Sequence, residues 1–459
     1  MDSPLPFGLA SIVALLVAPA WTDNNSRDAG PPPPRLAATA TPADRRAAGL
    51  PGDATAWRIW GYAHLNEGAG DRAIADFDAV LRLDPTDADS AYGRGLARHS
   101  LQDDAGAEAD LGLAIRLRPD FADAYEYRAL TRRAAHRLDE AAADLAAAIR
   151  IDPTVDRYPY NRSLIRLEQH DWPGALADLD EAIRLNPDRA RAYFNRSIAR
   201  LMVGDSERAV EDCTEALRLD PENAEYLGRR GAIRCFRGDF DGAIPDLDEA
   251  IRGVPGEVAY RVDRAICQIH RNELGAASGD VEAGLKIQPG HFGLVLARGR
   301  VAYLRNQPDA AIADCTTVLR EQPTLAPALA LRGSAWMSRG DEPHALDDLA
   351  AAVRLDPLAA EPLADLAWII ATSRDPDLRN GRQAVELATR SCDRTGRRHP
   401  GALGALAAAL GEVGDFDAAI AAAEAGRELA GAHRRTRDQF DDLLRAFRDC
   451  RPFRAPTPY

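Results

Sequence analysis

The residues with the most chemistry in them recur on a fixed spacing. Aspartates stand 34 residues apart at Asp76, Asp110, Asp144, Asp178, Asp212, Asp246, Asp280, Asp314 and Asp348. Arginines keep the same spacing at Arg94, Arg128, Arg162, Arg196, Arg230, Arg264, Arg298 and Arg332. Such sets could form a ladder for a charged ligand, or they could pair with one another as bidentate ion pairs between packed helices. Pairing is favoured, because a ligand site seldom needs identical groups in every repeat. The first repeat carries Trp60 where the arginine should stand. A repeat without a predecessor needs no arginine there. Pairing within a repeat and pairing to the next repeat each give eight pairs, and the missing first arginine favours each aspartate bonding the arginine of the next repeat: Asp76 with Arg94, Asp110 with Arg128, Asp144 with Arg162, Asp178 with Arg196, Asp212 with Arg230, Asp246 with Arg264, Asp280 with Arg298 and Asp314 with Arg332.

The elements that must hold these charges repeat with them. Prolines from Pro85 to Pro357 fall every 34 residues, and counting from Ala54 gives nine units in register, 54–359. A period of that length is the mark of a helical solenoid. The eighth position of each unit is small (Gly61, Gly95, Ala129, Ser163, Ser197, Gly231, Ala265, Gly299, Gly333) and the twentieth is always alanine. Small residues at two points separated by a turn let two antiparallel helices approach closely. Phe77, Leu111, Leu145 and their counterparts at the twenty-fourth position fill the space beside them. Gly204-Asp205 and Gly238-Asp239 end one helix and cap the next, and the proline near each unit's end stops the second helix. Pro245 sits beyond the first turn of its helix, where a local irregularity is expected.

This pattern, with Trp57, Gly61, Ala73, Phe77 and Pro85 in the first unit, resembles the tetratricopeptide repeat family. The resemblance implies an all-α, right-handed solenoid of helix-turn-helix units. Two looser helix pairs are expected over 360–433 and a capping helix with a tail over 434–459, the tail loose from Arg451. The stretch from Leu366 to Cys392, followed by His399 to Phe416, is similar to the C-terminal ends of large bacterial members. Phe440, Leu443, Leu444 and Phe447 recur at helical spacing and would form the cap's apolar face.

In that family the first helices line a concave groove through positions two, five, six, nine, twelve and thirteen. Mapped onto the middle of this array, those positions hold Tyr92, Glu126, Tyr127, Arg157, Tyr160, Asn161, Arg191, Phe194, Asn195, Glu225 and Arg229. Aromatic faces, amides and arginines suit an extended peptide, whose backbone the amides can bond. The alternative is that rings such as Tyr160 and Phe194 merely pack between repeats. The family's carboxylate clamp for chaperone tails is met only in part by Asn161 with Arg191, or Asn195 with Arg229. Leu130 and Leu164 occupy the place of its first asparagine.

The chain has 459 residues and a net charge of −14, and Lys286 is the one lysine among its 57 basic residues. So acidic a chain is poorly suited to nucleic acid. No catalytic, phosphate-binding or metal motif occurs, so no enzyme activity, cofactor or metal is expected. The six cysteines show no paired spacing and read as buried free thiols. The expected function is a non-catalytic scaffold binding a protein or peptide, with an architectural spacer or self-assembling subunit as the alternative. Residues 1–20 resemble a signal peptide ending in Ala18-Pro19-Ala20, which favours an exported protein over a cytoplasmic one. Membrane association would follow only if that segment were retained. Residues 21–53, with Pro31-Pro32-Pro33-Pro34, read as a disordered linker.

Overall fold

The computed structural model describes residues 53–431 and 434–455. The signal-like segment at 1–20, nearly all of the linker at 21–53 and residues 456–459 lie outside the described residues. Among the described residues there are 23 α-helices, a 3-10 turn at Pro376–Leu378 and no strand. They divide into two compact units after Pro221.

The first unit holds five helix pairs: α1 (Ala54–Asn66) with α2 (Gly70–Leu83), α3 (Ala88–Ser100) with α4 (Asp104–Leu117), α5 (Ala122–Ala134) with α6 (Leu138–Ile151), α7 (Arg157–Glu168) with α8 (Trp172–Leu185), and α9 (Ala190–Met202) with α10 (Ser206–Leu219). The second unit continues with α11 (Ala224–Phe236), α12 (Phe240–Gly253), α13 (Val258–His270), α14 (Leu274–Ile287), α15 (Phe292–Leu304), α16 (Pro308–Glu321), α17 (Ala326–Arg339) and α18 (Glu342–Leu355). It closes with α19 (Ala360–Thr372), α20 (Gly381–Arg394), α21 (Pro400–Glu412), α22 (Phe416–Leu429) and α23 (Arg434–Arg448).

One backbone conformation makes every hairpin. The fifteenth position of all nine repeats is left-handed: Gly68, Gln102, His136, His170, Gly204, Gly238, Asn272, Asn306 and Gly340 have φ between 57° and 87°. The next residue often caps the second helix. The side chains of Asp103, Asp171 and Asp239 accept from the amides of Gly106, Gly174 and Gly242, each at 3.0 Å. Glycine, which has no Cβ, takes the left-handed conformation without the steric cost that other residues meet there. His136→Gly, at an exposed turn, is therefore expected to stabilise the chain by about 0.5 kcal/mol, the relieved strain being partly offset by glycine's backbone entropy. Urea midpoints of the two proteins would show it.

Across each hairpin the eighth and twenty-fourth positions meet. A Cβ added at Gly95 would lie 2.8 Å from Leu111 Cγ, and one at Gly231 or Gly333 would lie 2.7 Å from Leu247 or Leu349. The alanines at the twentieth position are fully buried. Helix α12 runs unbroken to Gly253 through Pro245, so the irregularity expected there is not seen. Pro245 is exposed, and the helical carbonyl it leaves unbonded belongs to exposed Asp241.

At the end of the second unit, Phe440, Leu443, Leu444 and Phe447 of α23 are buried in one core with residues of α19, α21 and α22. The tail beyond it is not loose over its described part. Cys450 adopts φ 52° and turns the chain back. Phe453 then packs on this core, and the amide of Ala455 donates to the carbonyl of Thr372 at 3.2 Å.

Candidate functional site

The recurring charges pair within repeats, which corrects the expected pairing between them. The Nε of Arg94, Arg128, Arg162, Arg196, Arg230, Arg264, Arg298 and Arg332 donates to Asp110, Asp144, Asp178, Asp212, Asp246, Asp280, Asp314 and Asp348 at 2.7–3.1 Å. The reason is geometric. Positions seven and twenty-three lie equally far on either side of the turn at fifteen, so an antiparallel hairpin sets them at the same level. Each aspartate is buried, and in five repeats the arginine at the eleventh position also closes on it. Arg98, Arg132, Arg166, Arg200 and Arg234 approach their aspartates to 2.7–2.9 Å. In the first repeat His64 does this instead, with Nδ1 at 2.6 Å from Asp76.

Contact to the preceding repeat runs through the twenty-fifth position. Arg94, Arg196 and Arg264 donate from Nη1 to Asp78, Asp180 and Asp248 at 2.5–2.7 Å. These networks satisfy themselves. The charge ladder is structural.

The residues mapped to a groove come together on the first helices, but most are packed rather than open. On α3, α5, α7 and α9 their side chains make contacts from each first helix to the next. Tyr92 meets Tyr127 edge-on with centroids 5.8 Å apart, and Thr131 Oγ1 lies 3.2 Å from His99 Nδ1. Glu126, with 0% of its surface exposed, accepts from Arg157 Nε at 2.7 Å and from Asn161 Nδ2 at 2.8 Å. Burial pushes its carboxyl pKa up, while Arg157 pulls it back. Arg157 also bonds Asp123, which accepts from Tyr158 Oη at 2.8 Å. Asn195 Nδ2 donates to Tyr160 Oη at 3.3 Å, and Arg189 stacks over the Tyr160 ring at 4.7 Å. Tyr160 and Phe194 are 2% and 1% exposed, and the Tyr160 ring packs in one core with residues of α7, α8 and α9. Tyr127, Arg157 and Arg191 keep partial exposure, with Arg191 over the Phe194 ring at 5.1 Å.

Glu225 and Arg229 belong to the second unit, on α11. Arg229 is buried, and its charge acts on Asp263 of α13. Burial pushes the Asp263 carboxyl up to about 7, with Arg229 opposing the shift. An unfolded aspartate titrates near 4, so the native state holds this proton to higher pH. The stability so gained is present in acid and is lost as pH rises from about 4 through about 7. Asp263→Asn is expected to flatten that loss. The advantage of the variant over wild type in urea midpoint should be larger at pH 8 than at pH 5.

The same register in later repeats carries a polar cluster that the sequence reading, confined to the middle of the array, passed over. Ser334 Oγ donates to Asp365 Oδ2 at 2.5 Å, and Arg300 reaches Glu361 at 3.3 Å. Burial, with Glu361 nearby, pushes Asp365 up to about 6. The signal was available, because these residues fall at positions six, nine and two of their repeats.

Five cysteines are buried free thiols and Cys450 is exposed. Among the described residues no group of three or more His, Cys, Asp or Glu could hold a metal ion. No helix there is long and apolar enough to cross a membrane.

A family model described as tetratricopeptide repeat matches residues 37–88, 60–116 and 160–224. No curated protein matches the sequence. Among solved structures, the chain is similar to a tetratricopeptide repeat protein from Parabacteroides merdae at 17% identity, covering 53% of this chain and 98% of that one, with a TM-score of 0.43. Yeast Tom70 matches at 16% identity over 86% of this chain and 96% of its own, with a TM-score of 0.38. The Cut9-Hcn1 hetero-tetramer of the APC/C gives 14%, 86% and 96%, with a TM-score of 0.46. Over the residues that the family model matches, 37–116 and 160–224, the chain is thus similar to the tetratricopeptide repeat family, and one helix pair recurs at a single period through both stretches and beyond them.

Proposed function

We propose that this protein is a non-catalytic scaffold that binds an extended peptide or a partner protein along the first-helix face of its first unit. The observation that carries the reading is the set of polar and aromatic side chains from Tyr92 to Asn195, in contact from each first helix to the next. Its buried members Tyr92, Glu126 and Phe194 touch its partly open members Tyr127, Arg157 and Arg191 respectively. Fixed rings and guanidinium groups lose little freedom on binding, which favours affinity from few contacts. The burial of Tyr160 and Phe194 favours a second reading, an architectural spacer whose first helices bind nothing.

The two readings part on one experiment. Tyr127→Ala with Arg191→Glu alters the open groups and spares the buried network. Partners co-purified from the native cell would be identified, then titrated as purified proteins against wild type and variant. A scaffold loses at least about tenfold in affinity, roughly 1.4 kcal/mol, with helicity unchanged. A spacer shows no specific partner for the variant to lose.

A further inference from the structure

The described tail of the second unit lies against the end of α19, over 80 residues back in the chain. The main chain of Ala455 is held both ways. Its amide donates to the Thr372 carbonyl at 3.2 Å, and its carbonyl accepts from Arg374 Nε at 3.1 Å. Arg454 Nη1 donates to Glu412 Oε2 at 2.6 Å, and Arg379 fixes the other Glu412 oxygen at 3.1 Å. The Phe453 ring lies 5.8 Å from that of Trp368. Trp368 and Thr372 stand at the ninth and thirteenth positions of their repeat, the register that the family resemblance assigns to a ligand groove. One ring in an apolar seat, one charged pair and one main-chain clamp together form a recognition pattern for an extended peptide.

The core beneath the tail is already closed by α23. Phe440, Leu443, Leu444 and Phe447 are already buried, whereas Phe453 and Arg454 are only half-buried and Arg451 and Pro452 are exposed. The left-handed turn at Cys450 brings the segment to its seat through a short connection. A tether this short gives a high effective concentration, so even weak contacts keep the seat filled.

We propose that Trp368, Thr372, Arg374 and Glu412 form a docking site for an extended segment carrying an aromatic residue followed by arginine. The tail Arg451–Ala455 is its occupant in cis, and a partner segment of the same chemistry binds by displacing it. The site uses other residues than the first-helix face of the first unit and does not depend on that reading.

The test uses the full-length chain and a labelled synthetic peptide with the sequence of residues 451–459. Phe453→Ala with Arg454→Ala should open the site, so the peptide binds this variant at least tenfold more tightly than wild type. Adding Glu412→Gln should weaken that binding again. Equal binding to wild type and opened variant, or no binding to an opened variant of normal helicity, overturns the proposal. A chain ending at Cys450 provides a second opened form. If both opened forms lose their helical signal, the tail is part of the fold and the proposal fails.

Discussion

Asp178→Ala is expected to destabilise the chain by about 3 kcal/mol, the usual cost of removing one partner from a buried ion pair. Asp178 is buried and accepts from Arg162 Nε at 2.9 Å and Nη2 at 2.5 Å, and from Arg166 Nη1 at 2.9 Å. The substitution leaves Arg162 between α7 and α8 without its carboxylate, and Arg166 with only Asp171, 3.7 Å away. Their partial exposure lets water reach them, which keeps the loss below that of a sealed charge. A double-mutant cycle separates pairing within repeats from pairing between them. Arg162 and Asp178 should couple by about 1–3 kcal/mol, whereas Arg162 and Asp144 should add within about 0.5 kcal/mol. Urea unfolding followed by circular dichroism measures both.

Gly95→Val should cost about 2–3 kcal/mol through overpacking. A Cβ at that point meets Leu111 Cγ at 2.8 Å and the backbone nitrogen of Leu111 at 3.3 Å, so moving the leucine side chain does not relieve the whole clash. Helices α3 and α4 must separate, and the Arg94–Asp110 pair beside them must stretch. The companion change Leu111→Ala, which removes the side chain in the way, should recover part of the loss by making room. Thermal or urea midpoints of the single and double variants test this, and additive losses would refute the contact.

The helix pairs were legible in the sequence because their causes are local and recur. A small residue at position eight, alanine at twenty and a capping aspartate after the turn are independent of what lies far away. The charge pairing was also legible, though it was misread. Trp60 suggested that the first repeat lacked a neighbour to pair with, whereas His64 supplies the missing partner of Asp76. The symmetry of positions seven and twenty-three about the turn would have pointed to the observed pairing. The groove positions share a face as their spacing required, but spacing does not say how deep a ring sits. Tyr160 is buried because residues of α7, α8 and α9 close over it, and Phe194 is as deeply buried. The tail was illegible for a different reason. Its order depends on Thr372, Arg374 and Glu412, far back in the chain, and a short segment without periodicity carries no trace of them.

The account's central claim is that the first-helix face of the first unit contacts a partner. The direct measurement is site-specific photo-crosslinking in the native cell, with a photoreactive residue at position 191 on α9 and, as control, at the exposed Arg184 on α8. The account predicts a discrete adduct with one partner at position 191, absent from position 184 and suppressed by Tyr127→Ala. No adduct at position 191, or the same adducts from both positions, would contradict it.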